Sequence, residues 1–315
     1  MTRRLESLKE SADELSTSRS PLSIHLALLL VQVAFGTLPV EGKIVMQPPY
    51  SVSPEALAMM RILGGALAFV PMYASSKAAP KVVSWRDRWA LVALAIFGVA
   101  LNQALFLRGL SRTSPVSATL LIATIPVFTA VFAVLAGRDR LTLRTGLGLA
   151  LAVLGVVVLS DFALPKAGDL FVLLNAASYA VYMVFSKDSL GRYGTLTVMA
   201  WVFGAATILF APIGGMALVY DAPHWSAGAI GYVAFVVLVP TVFAYGLNAW
   251  ALARATPTLV TIYIYFQPLV VLTLSALQLH QTPPVASLFG GLFILAGVTT
   301  VALRKGPSGS KPSTN

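Results

Sequence analysis

The chain has 315 residues, of which 57% are hydrophobic and only 11% charged, with a mean hydropathy of +0.81. Soluble domains carry about 25% charged residues, so the apolar content exceeds what a soluble core of this length needs. The net charge of +10 is strung along the chain rather than gathered on one soluble face, which argues against a nucleic-acid partner. The absence of cysteine excludes a disulfide framework, a thiol nucleophile and a thiolate metal site.

Residues 1–21 mix Arg3, Arg4 and Lys9 with Glu6, Glu10, Asp13 and Glu14 and read as a solvated tail. Acidic residues before the first apolar run are a poor fit to a cleaved signal peptide. Apolar stretches then follow at 22–46, 54–75, 88–108, 114–136, 142–161, 168–187, 195–218, 226–252, 257–279 and 284–303. Each suits the ~20 residues of a bilayer-spanning helix and is far longer than a barrel strand. Turn-rich segments such as "QPPYSVSP", "LPKAGD" and "YDAPHW" separate them, and 304–315 is a Gly/Pro/Ser tail. The expected fold class is an all-α integral membrane protein of ten transmembrane helices.

Charge placement sets the expected orientation. With the N-terminus in the cytoplasm, seventeen of the 22 Lys and Arg fall on that side and only Arg108, Arg112 and Lys166 lie outside. Lys43 and Arg61 are within spans. This positive-inside bias puts both termini in the cytoplasm and suits a bacterial inner membrane.

"RTSPVSATLLIATIP" (112–126) shares its frame with "RATPTLVTIYIYFQP" (254–268), an offset of 254 − 112 = 142. The same ungapped offset relates Arg112 to Arg254, Pro115 to Pro257, Pro126 to Pro268, Gly148 to Gly290 and Gly155 to Gly297. An internal duplication follows, 22–161 and 168–303, with five spans in each copy. An odd number of spans makes the second copy inverted, an organisation of secondary transporters that expose one site alternately to each side.

These residues resemble the drug/metabolite transporter superfamily, specifically its EamA-like family. The resemblance rests on "AFGTLPVEGK" (34–43), "PEALAMMRILGG" (54–65), "TSPVSATLLIATIPVFTAVFAVLAGRDRLT" (113–142) and "GLGLALAVLGVVVL" (146–159). It continues in "GDLFVLLNAASYAVY" (168–182), "ATPTLVTIYIYFQPLV" (255–270) and "GGLFILAGV" (290–298). It implies ten helices in inverted five-helix halves, cytoplasmic termini, and export or exchange of small metabolites. It also implies a glycine–glutamate pair after the fourth and ninth spans. Here Asp139 takes the acidic place in the first copy and Gln281 stands in the second, and neither is assigned a role.

Polar groups inside spans are the first candidates for a substrate site, since they are costly in lipid and face a bundle interior or a wet cavity. Glu41 and Lys43 lie in span 1 and Arg61 in span 2. Glu41 is about five residues below the outer end of its span and Arg61 about seven, depths that agree within roughly 3 Å at a rise of about 1.5 Å per residue. A Glu41–Arg61 pair is therefore expected, either tying the two spans together or serving a substrate carboxylate, a phosphate or a coupling proton. Glu41 is the first suspect for a proton, although pairing with Arg61 would oppose that role. Lys43 should lie nearer the surface, free to snorkel.

Uncharged candidates are Gln32 and Thr37 in span 1, Asn102 and Gln103 in span 3, and Asn175, Tyr179 and Tyr182 on one face of span 6. Thr241, Tyr245 and Asn248 repeat that spacing in span 8, and Tyr263 and Gln267 precede Pro268 in span 9. Singly, each could be an interhelical hydrogen bond. Together they suggest an amphipathic, aromatic-lined cavity for a zwitterionic or aromatic small molecule. Pro126 and Pro268, at equivalent mid-span positions, are expected to kink or loosen spans 4 and 9.

The function expected is a secondary transporter or exporter of small metabolites, foremost neutral or aromatic amino acids. No cofactor or metal is expected, and no enzyme: no nucleophile with its base, metal cluster or acid pair stands inside the membrane. A carrier of phosphorylated sugars or nucleotide sugars would need several converging Lys or Arg. An exporter of cationic drugs would need an accessible Glu41.

Overall fold

The computed structural model describes residues 22–138, 143–159, 166–255, 260, 263–280 and 285–302. Asp139, Pro257, Gln281 and both tails, named above, lie outside the described residues. Those described are helical or in turns and contain no strand.

Five helices form the first half: α1 (Leu22–Met46), α2 (Pro54–Ser75), α3 (Trp85–Leu110), α4 (Pro115–Leu135) and α5 (Leu143–Leu159). Serine followed by proline starts two of them. Ser53 and Ser114 cap α2 and α4 by accepting from the backbone N–H of Ala56 and Ser117, and proline occupies the first helical position, where no N–H partner exists.

The second half begins with helical backbone running from Ala167 to Phe210, interrupted at Gly194, where φ is 71° and ψ 169°. That conformation is open to glycine and strained for other residues, so the run is two helices, α6 (167–193) and α7 (195–221). Then come α8 (Ala227–Arg254), capped by Ser226, α9 (Gln267–Gln278) and α10 (Val285–Ala302). Among the described residues six stretches are long and apolar enough to cross a membrane, the longest of them Ala167–His224 with the Gly194 break inside it. Shorter apolar helices cover Gly146–Val158, Gln267–Gln278 and Ser287–Gly297.

The α6–α7 region packs against α2, α3 and α4, and α1 lies against α8 and α9. On α1 the outward stripe is Leu22, Leu26 and Leu30, all more than half exposed. Exposed leucines at helical spacing suit contact with lipid rather than water.

Helices α5 and α10 pair extensively, and glycine makes it possible. A β-carbon on Gly155 would lie 2.7 Å from the Gly290 carbonyl oxygen and 2.6 Å from Ile294. One on Gly297 would lie 2.5 Å from the Gly148 oxygen and 2.8 Å from the Ala152 nitrogen. Under the offset of 142, Gly155, Gly290 and Ile294 become Gly297, Gly148 and Ala152, so the two contacts are reciprocal.

Several backbone irregularities follow the same register, although a π turn at Ala211–Gly215 in α7 has no counterpart in α2. A π turn occupies Ile96–Ala100 in α3 and another Leu238–Phe243 in α8. In α4 the helix breaks at Ala123–Thr124, and a 3-10 turn at Tyr263–Phe266 precedes α9. Pro126 and Pro268 both stand at interruptions of regular helix and not within unbroken α-helix. Each lies in the first turn after a break, where its missing N–H costs no hydrogen bond.

Gly155→Ala and Gly297→Ala should each lower stability by about 1–3 kcal/mol through overpacking. Gly146→Ala, in open space on the same helix as Gly155, should instead stabilise by roughly 0.5–1 kcal/mol through helix propensity. Thermal unfolding in detergent, followed by size-exclusion fluorescence, should give opposite signs.

Candidate functional site

A cavity of about 710 Å3, open solvent included, lies between the two halves. Its walls come from α1 (Gln32, Phe35, Leu38, Pro39), α2 (Arg61), α3 (Asn102, Phe106), α4 (Ile122, Ile125), α6 (Asn175, Tyr179, Met183) and α8 (Tyr245, Asn248). Val260, Ile264 and Gln267 close it. Seven of the twelve uncharged candidates thus share one cavity: Gln32, Asn102, Asn175, Tyr179, Tyr245, Asn248 and Gln267.

Hydrogen bonds hold these groups in place. The Asn102 and Asn175 amides donate to each other's backbone carbonyls, at 3.4 and 2.8 Å, locking α3 to α6. Tyr245 donates to Asn102 Oδ1, Asn248 to the Tyr179 hydroxyl, and Gln267 to Gln32 Oε1 at 2.6 Å. The Tyr179 and Tyr182 rings stack at 5.6 Å, while Tyr245 meets Phe35 and Phe203 edge-on.

The remaining uncharged candidates sit elsewhere. Tyr182 packs behind Tyr179 over Gly98, whose missing side chain makes room for its ring. Thr241 holds Arg61 from beneath. The Thr37 hydroxyl turns back onto the Ala34 carbonyl, and Tyr263 bonds His25. Gln103 is fully buried, and its amide has no hydrogen-bond partner among the described residues.

The expected Glu41–Arg61 pair does not form. Arg61 is buried, donating from Nε to Thr241 Oγ1 at 2.8 Å and from one terminal nitrogen to the Pro240 carbonyl. Glu41 accepts from Gln278 Nε2 at 3.0 Å. Similar depth is not contact, because the carboxylate and the guanidinium leave their helices in different directions. The half-buried Lys43 ammonium reaches the turn at the end of α3, where it donates to the carbonyls of Leu110, Ser111 and Thr113 at 2.9, 3.1 and 2.9 Å and caps that helix.

Arg61 is therefore the one charged side chain lining the cavity, and among the described residues no carboxylate pairs with it. Burying a charge without a counter-charge costs several kcal/mol, and two neutral acceptors offset only part of that. Sequence reasoning misses the apolar and aromatic wall: Phe35, Phe106, Met183, Ile122, Ile125, Val260 and Ile264. Phe35 lies one turn after Gln32 and Phe106 one turn after Asn102, so helical spacing from the polar candidates is the signal that could find both.

The geometry is that of a multi-pass helical membrane protein with an internal, largely neutral cavity. The EamA-like transporter family model matches residues 22–161 and 166–303, and the chain belongs to that family. It is accordingly a transporter and not an enzyme. Among its relatives is the "uncharacterized transporter YdfC" of Bacillus subtilis, 27% identical over 80% of this chain and 83% of that protein. A "probable terminal-alkyne amino-acid exporter" of Streptantibioticus cattleyicolor is 27% identical over 70% of this chain and 74% of its own length. The Arabidopsis thaliana "Protein WALLS ARE THIN 1" is 22% identical over 90% and 83% respectively. A solved crystal structure superposes with a TM-score of 0.64 over 90% of this chain and 98% of its own, at 18% identity, a likeness in fold alone.

Lys43→Met should lower thermal stability by about 1.5–3 kcal/mol, the worth of charge-assisted bonds to the freed carbonyls, while the KM for transported substrate stays unchanged. Unfolding and counterflow measured on the same preparation check both halves of that expectation.

Proposed function

We propose that this chain is a secondary carrier of small amphipathic metabolites, foremost neutral or aromatic amino acids, working by alternating access around the central cavity. On this reading 22–161 and 168–303 are two inverted five-helix repeats, ten spans in all, with both termini cytoplasmic in a bacterial inner membrane. Reciprocal α5–α10 glycine contacts and matching π turns at a spacing of 142 support the repeat. The positive-inside bias supports the orientation.

The observation that carries the substrate class is the buried, uncompensated guanidinium of Arg61. A carboxylate entering the cavity would supply the missing counter-charge and accept the donors that Thr241 and Pro240 leave over. Tyr179 and Tyr245 would flank an apolar or aromatic side chain, with Asn102, Asn175, Asn248, Gln32 and Gln267 offering neutral polar contacts. A relative named as a probable amino-acid exporter agrees with this class. Phosphorylated sugars fit less well, because Arg61 is the sole cation in the lining. Cationic drugs are opposed by the same charge, and Glu41 does not reach this cavity. The prolines after the breaks in α4 and the segment before α9 are proposed as points where the halves rock.

Counterflow in proteoliposomes with labelled neutral and aromatic amino acids, with and without a pH gradient, tests the reading. Saturable exchange is expected. Arg61→Gln should raise KM by roughly 10- to 100-fold, the loss of one charge-assisted bond of ~1.5–3 kcal/mol. Exchange unaltered in Arg61→Gln would remove the carboxylate anchor, and no exchange of any amino acid would redirect the search to phosphorylated or cationic substrates.

A further inference from the structure

A second site lies outside the central cavity. Glu41 follows Pro39, a lining residue, by two positions, which turns it roughly 200° around α1 and away from the central space. Its side chain borders two open cavities at the bundle end that carries the 47–53 turn, with empty volumes of about 530 and 890 Å3. Glu41 and Tyr232 line both, and neither borders the central cavity.

Three features define this vestibule chemically. Glu41 is 8% exposed, and its only hydrogen bond among the described residues comes from the neutral amide of Gln278. Among those residues no basic side chain pairs with it, and the nearest in sequence, Lys43, is committed to three backbone carbonyls. The Tyr50 and Tyr232 rings lie 5.1 Å apart, tilted at 55°, beside the carboxylate. Gly228 lets the Tyr50 ring lie against α8: a β-carbon there would come within 2.8 Å of it.

We propose that this vestibule binds an organic ammonium group, held by Glu41 as counter-ion and by the faces of Tyr50 and Tyr232. A buried carboxylate lacking a cation calls for a positive ligand, and tyrosine faces attract a desolvated ammonium. A hard metal ion is a poorer occupant. Calcium takes about six to eight oxygen ligands, and here a single carboxylate stands among rings and amides. The site takes the opposite charge from the central cavity, where Arg61 repels cations. On the proposed orientation it faces outward.

The test uses the full-length protein in dodecyl maltoside micelles, with phenethyltrimethylammonium, which has no N–H to be acylated, as probe and phenethyl alcohol as its neutral counterpart. Carbodiimide modification of Glu41, read by mass spectrometry on the wild-type protein, should be suppressed by the quaternary ammonium and not by the alcohol. Calorimetric titration should show binding that weakens by about tenfold or more in Glu41→Gln and survives in Arg61→Gln. Equal modification with and without the ammonium would overturn the proposal and leave Glu41 a proton-binding group at most. So would Glu41→Gln binding as tightly as wild type, or loss of binding in Arg61→Gln, which would move the probe to the central cavity. Modification is measured on the unaltered chain, so the protection experiment stands even where a Glu41 variant fails to fold. Amino-acid exchange by Arg61→Gln reports on the central cavity separately.

Discussion

In hydrocarbon there is no water to satisfy a free backbone group, and this one constraint shapes the molecule. A helix can depart from regularity only where a neighbouring side chain takes up the released donor or acceptor. Three of the departures here have such a neighbour. At the π turn of α3 the Phe97 carbonyl accepts from Ser178 of α6. Around the π turn of α8, Val236 accepts from Thr241 and Pro240 from Arg61. At the break in α4, Thr124 donates to the Leu121 carbonyl. Arg61, which lines the cavity, stands at the π turn of α8, and Tyr182, which backs the lining Tyr179, stands at that of α3, so the irregular backbone supports the cavity wall.

That coupling explains which parts of the site are legible in the sequence. Apolar run length marks helices in a membrane protein because the bilayer enforces it, and the polar residues interrupting those runs stand out against a uniform background. Asn175 and Tyr179, one turn apart, can be placed on a common face from spacing alone. Adjacent pairs are not resolved so easily. Asn102 and Gln103 are about 100° apart on α3, so both cannot face one cavity, and only Asn102 lines it.

The Glu41–Arg61 expectation fails for a related reason. Rise per residue fixes depth, but contact also needs the right azimuth, and azimuth depends on how helices turn toward one another. Nothing local to "PVEGK" specifies that Glu41 points toward α9 and Tyr232 rather than toward α2. The role of Lys43 is equally hidden, since its acceptors are carbonyls at the far end of α3, about 70 residues away. Backbone acceptors leave no signature in side-chain pattern. The π turns have only faint marks, a glycine at 98 and a proline at 240, neither of which distinguishes a π turn from an ordinary kink.

The two halves are alike in backbone and unlike in chemistry. Under the offset of 142, three pairs of positions line the cavity in both halves: Phe106 with Asn248, Ile122 with Ile264, and Ile125 with Gln267. Pro126 and Pro268, the α5–α10 glycines and the π turns of α3 and α8 coincide in that register, whereas two of these three pairs set an apolar residue against an amide. A scaffold that moves between two equivalent arrangements needs matched backbone breaks, because both arrangements must satisfy the same carbonyls. A solute with a charged end and an apolar end needs unmatched walls, or it would bind equally well reversed. Arg61 sharpens this asymmetry by placing the cavity's single charge on α2 of the first half. On the alternating-access reading proposed above, symmetry in the parts that would move, with asymmetry in the parts that would recognise, is what would let one bound orientation serve both faces of the membrane.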